Sequence, residues 1–279
     1  MIRTCVIGFP VRHSRSPLIH GHWLNTLEIP GSYERIEVPP GELGEFLGGL
    51  HQAGFAGCNV TLPHKEKAAT LIANLDASAR RIGSINTVFT VNGELHAMST
   101  DGLGFVANLA WRKPGLDLHN AKIVIIGAGG SAKAIADGLL NAGVPVITIA
   151  NRTVERAEEI ARILGHRVKP RPLQELAQAL GSADLLVNTT SAGIANDEGL
   201  EIDLSRLPKH AVVTDINYVP LQTPLLAEAR RMGLQTVDGL GMLLHQAVPG
   251  FEKWFGRRPE VTQTLYDLVA RDIDPDYRP

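Results

Sequence analysis

One glycine-rich loop and four short polar clusters hold the residues of this chain whose types and spacing could do chemistry. The loop follows an apolar run: Ile123-Val124-Ile125-Ile126 leads into Gly127-Ala128-Gly129-Gly130-Ser131-Ala132. A buried strand followed by GxGxxA and then a helix is the dinucleotide fingerprint. Gly127 permits the tight turn, Gly129 lets backbone approach a pyrophosphate, and Ala132 allows close helix packing. The helix N-terminus adds a field that favours phosphate. An NAD site places Asp or Glu about 20 residues past the glycines, on the ribose hydroxyls. Here the next strand runs into Asn151-Arg152-Thr153, with Arg156 after it. A carboxylate would repel a 2′-phosphate and guanidinium grips one in a planar fork, so the pattern predicts NADP. Glu155, Glu158 and Glu159 nearby also fit a solvated helix face, an alternative that weighs more on Arg156 than on Arg152.

The polar clusters follow strand-like runs, the position where ligands sit in open α/β sheets. His13-Ser14-Arg15-Ser16 offers two hydroxyls two residues apart beside a helix start, suited to an anion such as a carboxylate, although Ser16 alone would serve as an N-cap. Thr61-Leu62-Pro63-His64-Lys65, Gly83-Ser84-Ile85-Asn86-Thr87 and Ser99-Thr100-Asp101-Gly102 come later. Each has a plain alternative, a solvated helix-start lysine for Lys65 and a helix N-cap for Asp101. His20, His22, His51 and His64 lack ligand spacing such as HExxH, and Cys5 and Cys58 form no CxxC pair, so no catalytic metal is expected and neither cysteine is a candidate nucleophile.

Short β-rich runs alternate with longer helical patterns, which predicts an α/β fold with mostly parallel sheets. Strands are expected at Thr4 to Gly8, Tyr33 to Val38, Ala56 to Val60, Ile85 to Val91, Lys122 to Ile126, Pro145 to Ala150, Asp184 to Asn188 and Val212 to Ile216. Helices are expected at Pro17 to Leu27, with Ser16 as N-cap and Pro17 at N1, and at Glu42 to Gln52 and Lys65 to Leu75. Further helices fall at Ser131 to Asn141, Val154 to Leu164, Met242 to Phe255 and Glu260 to Ala270. Trp111 to Asn120 reads as a connector. The length of 279 residues suggests two domains, and a chain 44% hydrophobic and 20% charged suits a folded globular protein. A net charge of -2 argues against the electropositive field that nucleic-acid or anionic-membrane binding needs, so neither partner is expected. No signal-peptide pattern or run of 18 apolar residues stands out, and two free thiols suit a reducing compartment; the expected location is the cytoplasm.

Taken together these pieces resemble the shikimate dehydrogenase family. The resemblance is carried by Gly8-Phe9-Pro10 with His13 to Pro17, Gly57 to Lys65, Gly83 to Val88 and Thr100 to Phe105. It continues through the glycine loop with Asn151 to Thr153, Asn188-Thr189-Thr190-Ser191-Ala192-Gly193, and Asp238-Gly239-Leu240-Gly241-Met242-Leu243 with Gln246, in the family's order over nearly the whole chain. It implies a two-domain α/β enzyme, with a Rossmann-type NADP domain near 102–238 inserted between segments 1–101 and 239–279 of a substrate-binding catalytic domain. Carried over residue by residue, it implies that Ser14 and Ser16 hold a substrate carboxylate, that Thr61, Asn86, Asp101 and Gln246 bind ring hydroxyls, and that Tyr218 approaches the carboxylate side. Lys65 and Asp101 become the catalytic pair, with Lys65 moving the hydroxyl proton. Gly127, Ala128, Gly129, Gly130, Ser131, Ala132, Asn151, Arg152, Thr153, Arg156, Thr190 and Ser191 become cofactor residues, with Ile216, Gly239 and Met242 near the nicotinamide. The implied reaction is the NADP-dependent interconversion of 3-dehydroshikimate and shikimate, by a monomer or homodimer. A quinate-using relative of broader range and a non-catalytic NADPH-binding regulator are the alternatives. One departure stands out: Ser99-Thr100-Asp101 replaces the family's Asn-Thr-Asp, exchanging an amide for a shorter hydroxyl.

Overall fold

The structure, a computed structural model, describes residues 1–190 and 202–279. Its contacts divide the chain into two compact units, 1–100 with 244–269 and 101–243 with 270–279.

In the first unit, strands β1 (Ile2–Gly8), β2 (Gly31–Glu37), β3 (Phe55–Val60), β4 (Asn74–Leu75), β5 (Thr87–Val91) and β6 (Glu94–Met98) form one sheet in the order β2-β1-β3-β5-β6-β4. It is mostly parallel with one reversed strand: β1 pairs parallel with β2 and β3 and β4 pairs parallel with β6, while β5 runs antiparallel to both β3 and β6. The physical reason is a tight hairpin, in which Asn92 and Gly93 adopt φ values of 51° and 83°, as a two-residue primed turn requires. Helices α1 (Ser16–Thr26), α2 (Leu43–Gly49), α3 (Lys65–Leu71) and α4 (Ala77–Ile82) complete the four crossovers. The expected Ser16 cap is corrected: Arg15 occupies the N-cap position without a side-chain cap bond, and Ser16 is the first helical residue. The expected helix to Leu75 stops at Leu71, because Ile72 turns extended and the chain joins the sheet at Asn74. The expected helix from Glu42 to Gln52 is a 3-10 turn at Pro40–Glu42 followed by α2. Cys5, Ile7, Leu43, Leu50, Phe55, Val60, Ile85 and Val88 build one core.

In the second unit, β7 (Lys122–Ile126), β8 (Val146–Asn151), β9 (Val168–Pro172), β10 (Leu185–Asn188), β11 (Val212–Asp215) and β12 (Gln235–Val237) form an all-parallel sheet in the order β12-β11-β10-β7-β8-β9. Near-continuous apolar strands such as Ile123 to Ile126, all under 3% exposed, are what a sheet covered on both faces demands. Helices α5 (Asp101–Arg112), α6 (Gly130–Asn141), α7 (Val154–Leu164), α8 (Leu176–Leu180) and α9 (Pro224–Arg231) connect them. The expected connector at Trp111 starts two residues late, since α5 carries on through Arg112. Helices α5 and α6 cross at Gly102 and Gly138: a methyl group on Gly138 would lie 2.6 Å from the Gly102 carbonyl carbon.

Two further helices, α10 (Leu240–Phe255) and α11 (Gln263–Ile273), close the chain. Within the first unit, the α10 residues Phe251 and Trp254 join His20, Trp23 and Tyr33 in an aromatic cluster, where His20 stacks on Tyr33 with ring centroids 4.0 Å apart. Trp254 Nε1 donates to the Val88 carbonyl at 2.9 Å, passing directly over the bare backbone of Gly57. Among the described residues no helix is long and apolar enough to cross a membrane.

Candidate active site

The first unit gathers its polar candidates at strand ends. Where β3 ends, Thr61 donates its N–H to the Ile7 carbonyl at 2.9 Å and accepts from His64 N–H at 3.0 Å. The buried His64 ring bonds the Val38 carbonyl at 2.7 Å, which seats the turn that opens α3 with the half-buried Lys65. Two main-chain bonds then bring three separated residues together. Val60 N–H donates to the Asn86 carbonyl at 2.9 Å, and Ile85 N–H donates to the Lys65 carbonyl at 3.1 Å. Thr61, Lys65 and Asn86 therefore share one corner. Residues 85 and 86 leave the ladder to make these bonds, which is why β5 begins at Thr87 rather than at the expected Ile85.

Asn86 is 3% exposed and sits at the centre of a polar network. Its Oδ1 accepts from Thr100 N–H at 2.9 Å, and its Nδ2 lies 2.8 Å from Thr100 Oγ1 and 3.0 Å from Gln246 Oε1. Asn59 supports it from behind, donating through Nδ2 to the Asn86 carbonyl at 2.9 Å and to Thr87 Oγ1 at 3.1 Å, while its Oδ1 accepts from the Tyr33 hydroxyl. Ser14 and Ser16 are also brought together: their hydroxyls are 3.2 Å apart and Ser16 N–H reaches Ser14 Oγ at 3.3 Å. The geometry joins Gln246 to Asn86 across 160 positions of sequence.

In the second unit the strand order reverses between β7 and β10, and ligands of open α/β sheets bind in the crevice outside such a switch point. The loop after β7 is the glycine fingerprint. Gly127 has φ +102°, which side-chain-bearing residues rarely adopt, and a Cβ there would stand 2.6 Å from Thr189 Oγ1. At Gly129 and Gly130 a Cβ would meet nothing, so the loop is bare backbone facing open space at the start of α6. No acidic residue lies in the first turn of α6 to repel an anion, and Ala132 is fully buried against the core. This cradle fits a pyrophosphate.

The other side of the crevice, after β10, is equally ordered. Thr189 Oγ1 donates to the Ile126 carbonyl at 2.7 Å, and Asn188 Oδ1 accepts from both N–H and hydroxyl of Thr190. Asn217 Nδ2 ties the Thr190 carbonyl to the buried Asp215 at 2.8 Å each, and burial raises the Asp215 carboxyl above its ordinary value. Ser191 lies outside the described residues. At the end of β8, Asn151 Nδ2 donates to the Thr153 carbonyl at 2.7 Å, and Thr153 caps α7 without a side-chain hydrogen bond. Arg152 and Arg156 are exposed and neither forms an ion pair among the described residues, which suits the solvated-face alternative as well as a phosphate ligand. Ile216 and Met242 are half-buried against the core of this unit, and Gly239 packs so closely on the Ile216 carbonyl that no side chain fits there. Asp101 opens α5 and Tyr218 follows Asn217, both half-buried.

Asn59, Thr87 and Thr100 are site residues that reading by sequence left without roles. Only the strand-end position of Asn59 signalled it; Thr100 bonds across 146 positions have no local signature. Among the described residues no group of three His, Cys, Asp or Glu side chains could hold a metal ion. Cys5 and Cys58 face each other on β1 and β3; their mutual hydrogen bond and burial push the Cys5 thiol up, away from nucleophilic thiolate.

Three family models match the chain: the shikimate dehydrogenase substrate binding domain over 6–88, shikimate / quinate 5-dehydrogenase over 108–241 and the shikimate 5′-dehydrogenase C-terminal domain over 239–264. The chain is 50% identical to the shikimate dehydrogenase (NADP(+)) of Rhizobium rhizogenes, across 96% of this chain and 94% of that one. It resembles the crystal structure of shikimate 5-dehydrogenase from Thermus thermophilus in complex with NADP(H) and shikimate, with TM-score 0.86 and 34% identity, covering 98% and 100% of the two chains. It also resembles quinate dehydrogenase from Corynebacterium glutamicum in complex with NAD, with TM-score 0.88 and 29% identity over 96% and 98%. A Rossmann-type sheet in one unit, a second α/β unit in the same chain, the glycine cradle at the switch point and half-identity along nearly the full length place this chain in the shikimate dehydrogenase family.

Proposed function

We propose that this chain catalyses the reversible NADP-dependent reduction of 3-dehydroshikimate to shikimate, an oxidoreductase step acting on a CH–OH group in chorismate and aromatic amino acid biosynthesis. The observation that carries the reading is the shared corner of Thr61, Lys65 and Asn86, held by the Val60 to Asn86 and Ile85 to Lys65 main-chain bonds. It puts a cation beside groups able to read hydroxyls. Ser14 and Ser16 receive the substrate carboxylate, Thr61, Asn86, Asp101 and Gln246 the ring hydroxyls, and Tyr218 approaches the carboxylate side. NADP, when bound, supplies or takes the hydride at the reacting carbon. Reduction of a ketone builds negative charge on its oxygen, and the Lys65 ammonium both stabilises that charge and delivers the proton to it; in oxidation Lys65 removes the hydroxyl proton. Asp101 orients Lys65. Gly127 to Ala132 seat the pyrophosphate with Thr190 and Ser191 beside it; Asn151, Arg152, Thr153 and Arg156 take the 2′-phosphate side; Ile216, Gly239 and Met242 line the nicotinamide. In this reading 1–101 with 239–279 is the substrate-binding domain and 102–238 the NADP domain, and the enzyme works in the cytoplasm as a monomer or homodimer.

Proton delivery by a positioned side chain contributes about 10²- to 10⁴-fold, so Lys65→Ala is expected to lower kcat by that factor while shikimate and NADPH still bind. Undiminished turnover would refute the role of Lys65. Quinate oxidation is the second reading, favoured by the likeness to an NAD-bound quinate dehydrogenase. Against NAD as its cofactor stand the two exposed guanidiniums after β8 and the absence of an acid there.

A further inference from the structure

The glycine loop lies past the C-terminal end of β7, and the opposite edge of the same sheet holds a cavity of about 580 Å³. Cavities that hold small molecules span about 300 to 1,000 Å³. Its walls come from the strand starts, with Asp184 just before β10 and Val212 opening β11, and from the connector that follows α5. The connector is internally tied. Leu116 N–H donates to the Lys113 carbonyl at 3.0 Å, and the Asp117 carboxylate accepts from Asn120 Nδ2 at 2.7 Å and from His119 N–H at 3.0 Å. Those two bonds, the Asn120 amide first, hold the Asp117 carboxyl below its ordinary value. Burial opposes ionisation of Asp184, yet Lys122 N–H at 2.7 Å and the His210 ring at 2.9 Å bring its carboxyl below the ordinary value too. A carboxylate offers about four lone-pair directions, so both acids keep acceptor capacity beyond these bonds.

Two cations line the same cavity at the end of α5. The Arg112 guanidinium lies over the Trp111 ring, 4.0 Å from its centroid. Lys113 is half-buried, and its ammonium makes no ion pair or hydrogen bond among the described residues. A charge drawn partly out of water without a partner is costly, and a ligand of opposite sign would relieve it. A simple anion would meet Asp117 and Asp184 as well as Lys113, and a simple cation would meet Lys113 and Arg112 as well as the acids. A ligand carrying both signs matches both sets, and Leu116, Ala121 and Val212 give it an apolar wall. We propose that this cavity is a second ligand site, for a zwitterionic amino acid with an apolar side chain. The α-carboxylate sits at Lys113, the ammonium at Asp117 and Asp184, and the side chain on the apolar wall. The proposal is independent of the dehydrogenase reading.

The test follows backbone amide shifts of the full-length protein titrated with three compounds of one shape: L-leucine, L-leucinamide, which lacks the carboxylate, and 2-hydroxy-4-methylpentanoate, which has a hydroxyl in place of the ammonium. Leucine is expected to give saturable shifts that are largest at 113–121 and 210–212, and to bind at least about tenfold more tightly than either analogue. Lys113→Gln should weaken leucine about tenfold and leave leucinamide unchanged. Asp117→Asn should weaken leucine and leave the hydroxy acid unchanged. No saturable shift with leucine, shifts centred elsewhere in the chain, or equal affinity for the three compounds would overturn the proposal. The comparison of the three compounds on the wild type decides the matter even where a variant fails to fold.

Discussion

Replacing Arg152 by alanine should separate NADP from NAD in a single enzyme. Arg152 stands just past the end of β8, where a dinucleotide site meets the adenosine ribose, and its guanidinium is exposed with no ion pair among the described residues to hold it elsewhere. A hydrogen bond to a charged group is worth about 1.5 to 3 kcal/mol. Exposure places this contact at the lower end, because water competes for both partners. About 1.5 kcal/mol corresponds to roughly tenfold in binding, so the KM for NADP is expected to rise about tenfold while the KM for NAD, which has no 2′-phosphate, stays put. The assay is steady-state formation of reduced nicotinamide with shikimate saturating, at two salt concentrations. Screening should shrink the wild-type preference for NADP, and Arg152→Ala should be less sensitive to salt. An equal loss with both cofactors would mean that Arg152 serves the fold or the loop rather than the phosphate. No loss with NADP would refute the assignment and move the contact to Arg156.

Other perturbations test the scaffold. Gly127→Ala forces a side chain into a φ of +102° against Thr189 and should cost about 1 to 3 kcal/mol of stability, whereas Gly129→Ala, whose Cβ meets nothing in the protein, should melt like the wild type yet lose NADPH affinity in a fluorescence titration. Normal NADPH binding by Gly129→Ala would remove the pyrophosphate from this loop. Trp254→Phe strips the buried Val88 carbonyl of its donor and should lower the urea midpoint by an amount equivalent to about 1 to 3 kcal/mol; an unchanged midpoint would show that the bond contributes little. His20, enclosed by aromatic rings, has its pKa lowered to about 3 by burial. An unfolded histidine titrates near 6.5, so below about pH 6.5 only the unfolded chain takes up this proton. Stability should fall with pH down to about 3, by at most about 1.4 kcal/mol per pH unit from this group. His20→Phe should flatten that slope in urea titrations between pH 7 and 4, and an unaltered slope would assign it to other groups.

Much of the second unit was legible because its signals are local. The β7 strand and α7 helix appear with the bounds their patterns predict, since an apolar parallel strand and a 3.6-residue periodicity are written into contiguous residues. Strand β9 reads poorly because Pro170 and Pro172 argue against a strand, yet it lies at the sheet edge, where proline is tolerated. The β5–β6 hairpin was missed although Asn92-Gly93 is its sequence signature, and Thr223-Pro224 likewise announces α9 as a cap followed by proline. The clusters at Ser14, Lys65 and Asn86 could be found as polar groups at strand ends. What joins them could not, because the bonds of Asn86 to Gln246 and of Thr100 to Gln246 depend on the packing of α10 far along the chain. The Ser16 cap failed for a related reason: its hydroxyl is turned to Ser14 rather than to its own helix.

The most direct measurement is reduced-nicotinamide absorbance with purified protein, crossing shikimate and quinate against NADP and NAD. Turnover concentrated in shikimate with NADP is the predicted result. Comparable turnover of quinate or a preference for NAD would contradict the assigned specificity, and binding of NADPH with no turnover in any of the four combinations would contradict the assignment of Lys65 as a working acid and base.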